Sequence, residues 1–277
     1  MLLIAAVAIA AAMTLLIRHA IRAPAERLSH AQGMRLILWL GGVVPTVLLL
    51  ALLVASLPMM RPIAMTAADL RIDVTGEQFW WRVGYRRAGA APIASANEVR
   101  LPVGRTVALH LAAGDVIHSF WIPGLAGKMD MIPGRTNMLV VRATRAGRYR
   151  GVCTELCGLS HALMAFDVVA MPPAAFDAWL AAEAGPAAHG DALFRRYGCG
   201  GCHAIRGTGE TGAIGPDLTR FGARSTLAAG VLPMTTANVA NFIRHPEATK
   251  PGVRMPAFDA MPQDHATAIA RYLQGLR

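Results

Sequence analysis

Cys153-Thr154-Glu155-Leu156-Cys157-Gly158-Leu159-Ser160-His161-Ala162-Leu163-Met164 places two thiols, one imidazole and one thioether within twelve residues. A further imidazole lies upstream in Asp115-Val116-Ile117-His118-Ser119-Phe120-Trp121. Thiolate, imidazole and thioether donors together suit copper. A mononuclear blue-copper site takes two His, one Cys and a weak Met, and this set has one thiolate more. The extra thiolate is what two copper ions bridged by two sulfurs would need. Two other readings stand beside this one. Cys153 and Cys157 can pair as a disulfide in an oxidising compartment. Two Cys and two His can hold tetrahedral zinc, which has no need of Met164.

Around this loop the chain alternates apolar and polar residues, as half-buried strands do. Leu70 to Thr75, Thr106 to Leu111, Asn137 to Thr144, Gly147 to Cys153 and Ala165 to Ala170 are predicted strands. Gly- and Pro-containing turns separate them, the pattern of an all-β sandwich or barrel. A helix is expected from Pro173 to Ala184.

Upstream, Leu2 to Ile17 and Leu36 to Leu57 carry no charge. The second run is long enough to span the hydrocarbon of a bilayer as a helix. Pro45 is expected to kink it. Arg18, Arg22, Arg27 and Arg35 follow the first run, whereas a cleaved signal has its basic residues before the apolar core. The positive-inside rule then puts the connecting loop in the cytoplasm and everything after Arg61 outside. The expectation is a multi-pass inner-membrane protein with a transmembrane hairpin over residues 1–62.

Downstream, Gly185 to Ala188 reads as a linker, and Gly190 to Tyr197 as a helix leading into Cys199-Gly200-Gly201-Cys202-His203. Cys-x-x-Cys-His is the attachment signature of c-type haem: both thiols bind the haem and His203 becomes the proximal ligand. A thioredoxin-like redox pair would leave His203 unexplained. The second axial ligand of a cytochrome c is commonly Met, which raises the potential. Met234, Met255 and Met261 are candidates, and Met255, in Pro251-Gly252-Val253-Arg254-Met255-Pro256, fits best. Helices are predicted over Thr236 to Arg244 and Gln263 to Leu276, starting at Thr236 and Pro262.

The loop Cys153–Met164, with His118, closely resembles subunit II of the haem–copper cytochrome oxidases, whose binuclear copper centre is called CuA. The resemblance implies that Cys153 and Cys157 bridge the coppers and that His118 and His161 are terminal ligands. Met164 would be a weak sulfur ligand and the Glu155 carbonyl a weak oxygen ligand. The Glu155 carboxylate would reach a magnesium ion shared with subunit I, and Lys128 to Arg135 resembles the stretch packed on that subunit. The implied fold is two transmembrane helices, then a cupredoxin-like Greek-key β-barrel over residues 63–185. Residues 186–277 resemble the all-α class I cytochromes c, with Gly215-Pro216-Asp217-Leu218 as the turn beside the haem.

The function so implied is electron input to a respiratory terminal oxidase. Electrons would pass from an external cytochrome c or similar donor through haem c to CuA and on to haem in subunit I. Oxygen reduction to water and proton translocation would occur there, with subunit III a further partner. Phe79, Trp80 and Trp81 match the family's aromatic electron-input cluster, although many members have Trp where Phe79 stands. Leu36 occupies a position where many members carry a proton-loading Glu, so that role does not transfer. The alternatives are the same module serving a nitric oxide reductase of that superfamily and a copper-delivery protein. The latter would lack the haem motif, the second membrane helix and Met164.

The 277 residues carry 27 Lys plus Arg and 17 Asp plus Glu, net +10, and only Lys128 and Lys250 are lysines. Residues 1–62 hold five basic and one acidic side chain, 63–185 twelve and ten, and 186–277 ten and six. No block of five like charges occurs, so nucleic acid is not an expected partner.

Overall fold

The computed structural model describes residues 2–22, 29–60, 70–87, 89–187 and 189–277. They fall into two compact units, Met1–Pro62 and Ile63–Arg277. The turn that a transmembrane hairpin requires, at residues 23–28, lies outside the described residues, as does the junction at 61–69.

In the first unit, helix α1 (Leu2–Arg22) covers the first apolar run and continues past it, with His19 and Arg22 in its last turn. Helix α2 (His30–Ser56) has a mean hydropathy of 2.5 over its most apolar eighteen residues, long and apolar enough to cross a membrane. It begins at a capping box, in which Ser29 Oγ accepts from the Gln32 amide and Gln32 Oε1 accepts from the Ser29 amide. Pro45 acts here as a widened turn. Its missing N–H leaves a carbonyl unpaired one turn back. The helix is π-wound over Ile37–Val43, with the Val44 amide reaching Trp39 O. Thr46 Oγ1 donates to the Gly42 carbonyl at 2.8 Å.

The second unit opens with ten strands. These are β1 (Leu70–Glu77), β2 (Trp80–Arg87), β3 (Ala90–Ala96), β4 (Glu98–Pro102), β5 (Val107–Ala113), β6 (His118–Trp121), β7 (Met129–Met131), β8 (Asn137–Val141), β9 (Gly147–Cys153) and β10 (Ala165–Met171). They form two five-stranded sheets, ordered β3-β2-β1-β5-β8 and β4-β10-β9-β6-β7. The pairs β1–β5 and β4–β10 are parallel and the others antiparallel. A parallel pair cannot be closed by a tight hairpin, so the chain crosses between sheets, as in the expected cupredoxin-like barrel.

Trp81, Phe120 and Phe166 fill the space between the sheets, all fully buried. Phe120 stacks on Phe166 at 4.4 Å, and Trp81 meets their edges at 5.5 and 5.1 Å. Trp81→Ala should cost about 3–5 kcal/mol. Calorimetry of the full-length protein would show a clear fall in the barrel's unfolding midpoint, and an unmoved midpoint would contradict this packing role. Helix α3 (Pro173–Glu183) closes one side, with Phe176 buried and Trp179 edge-on to Tyr85 at 5.0 Å.

The remaining chain is mainly helical: α4 (Ala192–Arg196), α5 (Thr236–Arg244), α6 (Pro246–Thr249) and α7 (Gln263–Gly275). Helix α4 is capped by Asp191 and α5 by Thr235, one residue before the expected start. Helix α7 buries Ala266, Ile269, Ala270 and Leu273 at helical spacing. The segment departs from the expected all-α fold, with an isolated antiparallel bridge between Ala204 and Thr211 and a two-stranded pair. A short antiparallel pair, β11 (Thr226–Leu227) with β12 (Leu232–Pro233), closes around Ala228, Ala229 and Gly230. All three have positive φ, which makes the chain reverse tightly.

The stretch expected as a linker is tied down. The Ala187 amide donates to Arg206 O at 2.6 Å and Arg206 Nη1 to Gly185 O at 3.3 Å. A polar seam joins the helical part to the barrel. Ser225 Oγ donates to Glu98 Oε2 at 2.9 Å, Thr226 Oγ1 to Asp167 Oδ2 at 2.8 Å and the Ala165 amide to Ala229 O at 3.0 Å.

Candidate metal and haem centres

Strand β9 ends at Cys153, and the loop that follows folds back so that the Cys153 amide donates to Met164 O. This closure gathers the sulfurs. Cys153 Sγ lies 3.9 Å from Cys157 Sγ and 3.9 Å from His118 Nδ1. Cys157 Sγ lies 3.7 Å from His161 Nδ1 and 3.8 Å from Met164 Sδ. The Glu155 carbonyl is 3.3 Å from Cys153 Sγ, and its carboxylate is partly exposed. His118 and Met164 are buried, and the donor atoms of His118, Cys153 and Cys157 all lie within 4.8 Å of one another. The two thiols are free, at a separation far beyond a disulfide bond.

This set fits a thiolate-bound metal. Metal–thiolate bonds are about 2.3 Å, so one ion can touch both sulfurs across 3.9 Å. The protonation chemistry agrees. The hydrogen bond from Cys157 and those from His118 and the backbone outweigh burial and hold Cys153 far below an ordinary thiol. Cys157 is pushed up, by that neighbouring sulfur first and by burial second. As a pair, one proton leaves readily and the second resists, because like charges this close disfavour each other. A cation between the sulfurs removes that resistance.

His118 is held from behind. Its Nε2 lies 2.8 Å from Asp115 Oδ1, and Asp115 also accepts from the Gln78 and Val116 amides at 2.8 Å. Burial works against the Asp115 carboxylate, but these bonds outweigh it and keep its pKa below the ordinary value. A carboxylate behind a histidine fixes the ring and its tautomer, leaving Nδ1 aimed at the sulfurs. Gly76 leaves room for the ring, since a Cβ there would come within 2.9 Å of it. Gln78 Nε2 donates to the Cys157 carbonyl at 2.5 Å. Asp115 and Gln78 were not among the expected site residues. The Asp three positions before His118 was the available signal.

Cys199, Cys202, His203 and Met255 line one cavity of about 600 Å³. Its chemistry suits a haem. His203 Nδ1 lies 2.8 Å from the Pro216 carbonyl, which can only accept, so Nδ1 carries the proton and Nε2 keeps its lone pair. Burial lowers the His203 pKa and favours that neutral ring. A Cβ at Gly215 would meet the ring at 2.5 Å, so the Gly215-Pro216 turn is shaped around His203. Of the other methionines considered, Met261 is buried in the helical core and Met234 packs against it.

Phe79 and Trp80 of the barrel line this same cavity, with the Arg82 guanidinium 4.7 Å over Trp80. Trp81 points the other way, into the barrel core, 6.2 Å from the His118 ring. The three aromatics therefore occupy two sides of the wall between the two clusters.

A barrel with a sulfur–imidazole cluster is joined here to a Cys-x-x-Cys-His segment. Residues 85–171 match the family described as the periplasmic domain of cytochrome c oxidase subunit II, and residues 187–277 match cytochrome c. Cytochrome c oxidase subunit 2 of Alkalihalophilus pseudofirmus is 41% identical over 214 residues, covering 74% of this chain and 61% of the relative. That of Bacillus subtilis is 32% identical over 253 residues, covering 85% of this chain and 70% of the relative. The periplasmic domain of cytochrome oxidase subunit II of Bradyrhizobium japonicum is 31% identical, covers 43% of this chain and 96% of that structure, and has a TM-score of 0.40. The chain belongs to the cytochrome c oxidase subunit 2 family, with a cytochrome c domain at its C-terminal end. The chain spans 61% of the length of the first of these relatives and 70% of the second, and copper and haem are the cofactors its two domains imply.

Proposed function

We propose that the chain receives electrons for a respiratory terminal oxidase and delivers them to subunit I. When bound, the copper pair and the haem iron each take up and release single electrons. The observation that carries the reading is the shared wall. Phe79 and Trp80 face the cavity around His203, and Trp81 on the same strand packs beside His118.

Cys153, Cys157, His118 and His161 would hold the copper pair, with Met164 and the Glu155 carbonyl as weaker ligands. Asp115 orients His118. Cys199 and Cys202 would attach the haem, and His203 through Nε2 and Met255 through Sδ would hold its iron. The Glu155 carboxylate serves a magnesium site shared with subunit I. An external cytochrome c or similar donor docks on the C-terminal domain, because Phe79 and Trp80 of the barrel line the cavity they share with His203. Subunit III completes the complex, and O2 reduction coupled to proton translocation takes place in subunit I. Residues 1–62 anchor the chain as a two-helix hairpin in the inner membrane, with the barrel (63–185) and the cytochrome domain (186–277) on the periplasmic side.

Metal analysis of the purified complex, with oxygen uptake on the same sample, tests this. Two coppers and one covalently attached haem per chain, with cytochrome-driven oxygen uptake, are expected. Zinc in place of copper, or turnover of nitric oxide without oxygen uptake, would refute it.

A further inference from the structure

Lys250 is the odd cation of this chain. It is one of two lysines among 27 basic residues, and it is 2% exposed. It sits in the loop after α6 that leads to Met255, and its ammonium crosses the seam. Nζ donates to the Phe79 carbonyl in the barrel and to the Ala228 carbonyl in the cytochrome part, the latter at 3.1 Å. Among the described residues no carboxylate forms an ion pair with it. A buried ammonium held only by carbonyl dipoles is costly. Burial lowers its pKa to about 7.

The connection to the sulfur loop is short. Phe79 O, which receives the ammonium, follows Gln78, whose side chain bonds the Cys157 carbonyl. Two more contacts seat the same loop: Ser160 Oγ donates to Pro251 O at 2.7 Å, and Arg254 Nη2 meets Asp115 Oδ2 at 3.2 Å. The loop that carries the candidate haem methionine thus rests on residues beside both copper-site histidines.

We infer that Lys250 is a tuning residue of the copper centre, supplying from the cytochrome domain a buried positive charge one residue from Gln78, which bonds the Cys157 carbonyl. The inference rests on the proposed two-copper reading. A fixed positive charge favours whichever state of a neighbouring centre is more negative. Here that is the electron-loaded state, so Lys250 raises the potential and draws electrons toward the barrel. The effect depends on the loop being seated, which links docking of the cytochrome domain to readiness of the copper site.

Redox titration of the near-infrared copper absorption and of the haem absorption, on the full oxidase complex at pH 6, tests it. In K250M the electron equilibrium between the two centres should shift on the order of tenfold toward haem, a fall of about 59 mV in the copper potential for one electron. Haem potential and copper content should stay as in the parent, and K250R should keep most of the parent's copper potential. An unmoved copper potential in K250M overturns the inference. Equal shifts in K250M and K250R, or loss of copper from both, also overturn it, since they mark packing and not charge. A parent protein without the near-infrared band would instead refute the two-copper reading itself.

Discussion

Cys157→Ser should remove the two-copper centre while leaving the haem in place. With one sulfur gone the cluster becomes two imidazoles, one thiolate and one thioether, the donor set of a mononuclear blue-copper site. The full-length variant is therefore expected to hold at most one copper and to lose the near-infrared absorption. Oxygen uptake by the complex should fall more than about 100-fold, beyond the loss typical when only a residue behind a metal ligand is changed. The haem absorption should be unaffected, because Cys199 packs on a core separate from that of Cys153 and Cys157, and Cys202 and His203 line the cavity beside it. Metal analysis alongside the spectrum decides the matter. Two coppers retained in the variant would show that Cys157 is not a bridge.

Exchanging both Cys199 and Cys202 for Ser should produce the converse. The chain would no longer carry haem through a denaturing gel, while two coppers remain. The cavity of about 600 Å³ would lose the group that fills it, and with it the stabilisation a ligand gives to the folded state alone. Thermal unfolding of the C-terminal part should shift down, and cytochrome-driven oxygen uptake should drop about 100-fold or more. Uptake at the parent's rate would mean that donors reach the barrel directly, and would move electron input from the haem domain to Phe79 and Trp80.

Much of the site was legible because its chemistry is local in sequence. Cys153, Cys157, His161 and Met164 share one loop, and Cys199 to His203 share one turn, so spacing alone brings their donors together. His118, 35 residues before Cys153, was a candidate donor whose role as terminal ligand came only from the family resemblance, and the structure places it against Cys153 through the β6–β9 pairing. The strands β1, β5, β9 and β10 were readable from alternation. Strand β2 was not, although Trp81, Val83 and Tyr85 point inward and Trp80, Arg82 and Gly84 outward. Paired tryptophans and arginines concealed its period. Strand β6 buries three residues in succession and has no alternation to read. The seam was invisible for another reason. Lys250 and Phe79, or Arg254 and Asp115, are well over a hundred residues apart, and no local pattern joins them.

The seam between barrel and cytochrome domain also bears on kinetics. With the Ala165–Ala229 backbone bond and the Glu98 and Asp167 contacts in place, the two centres need no search to find each other. Passage between them is then a first-order event, indifferent to dilution and nearly indifferent to ionic strength. Only the first collision, with the outside donor, remains open to mass action.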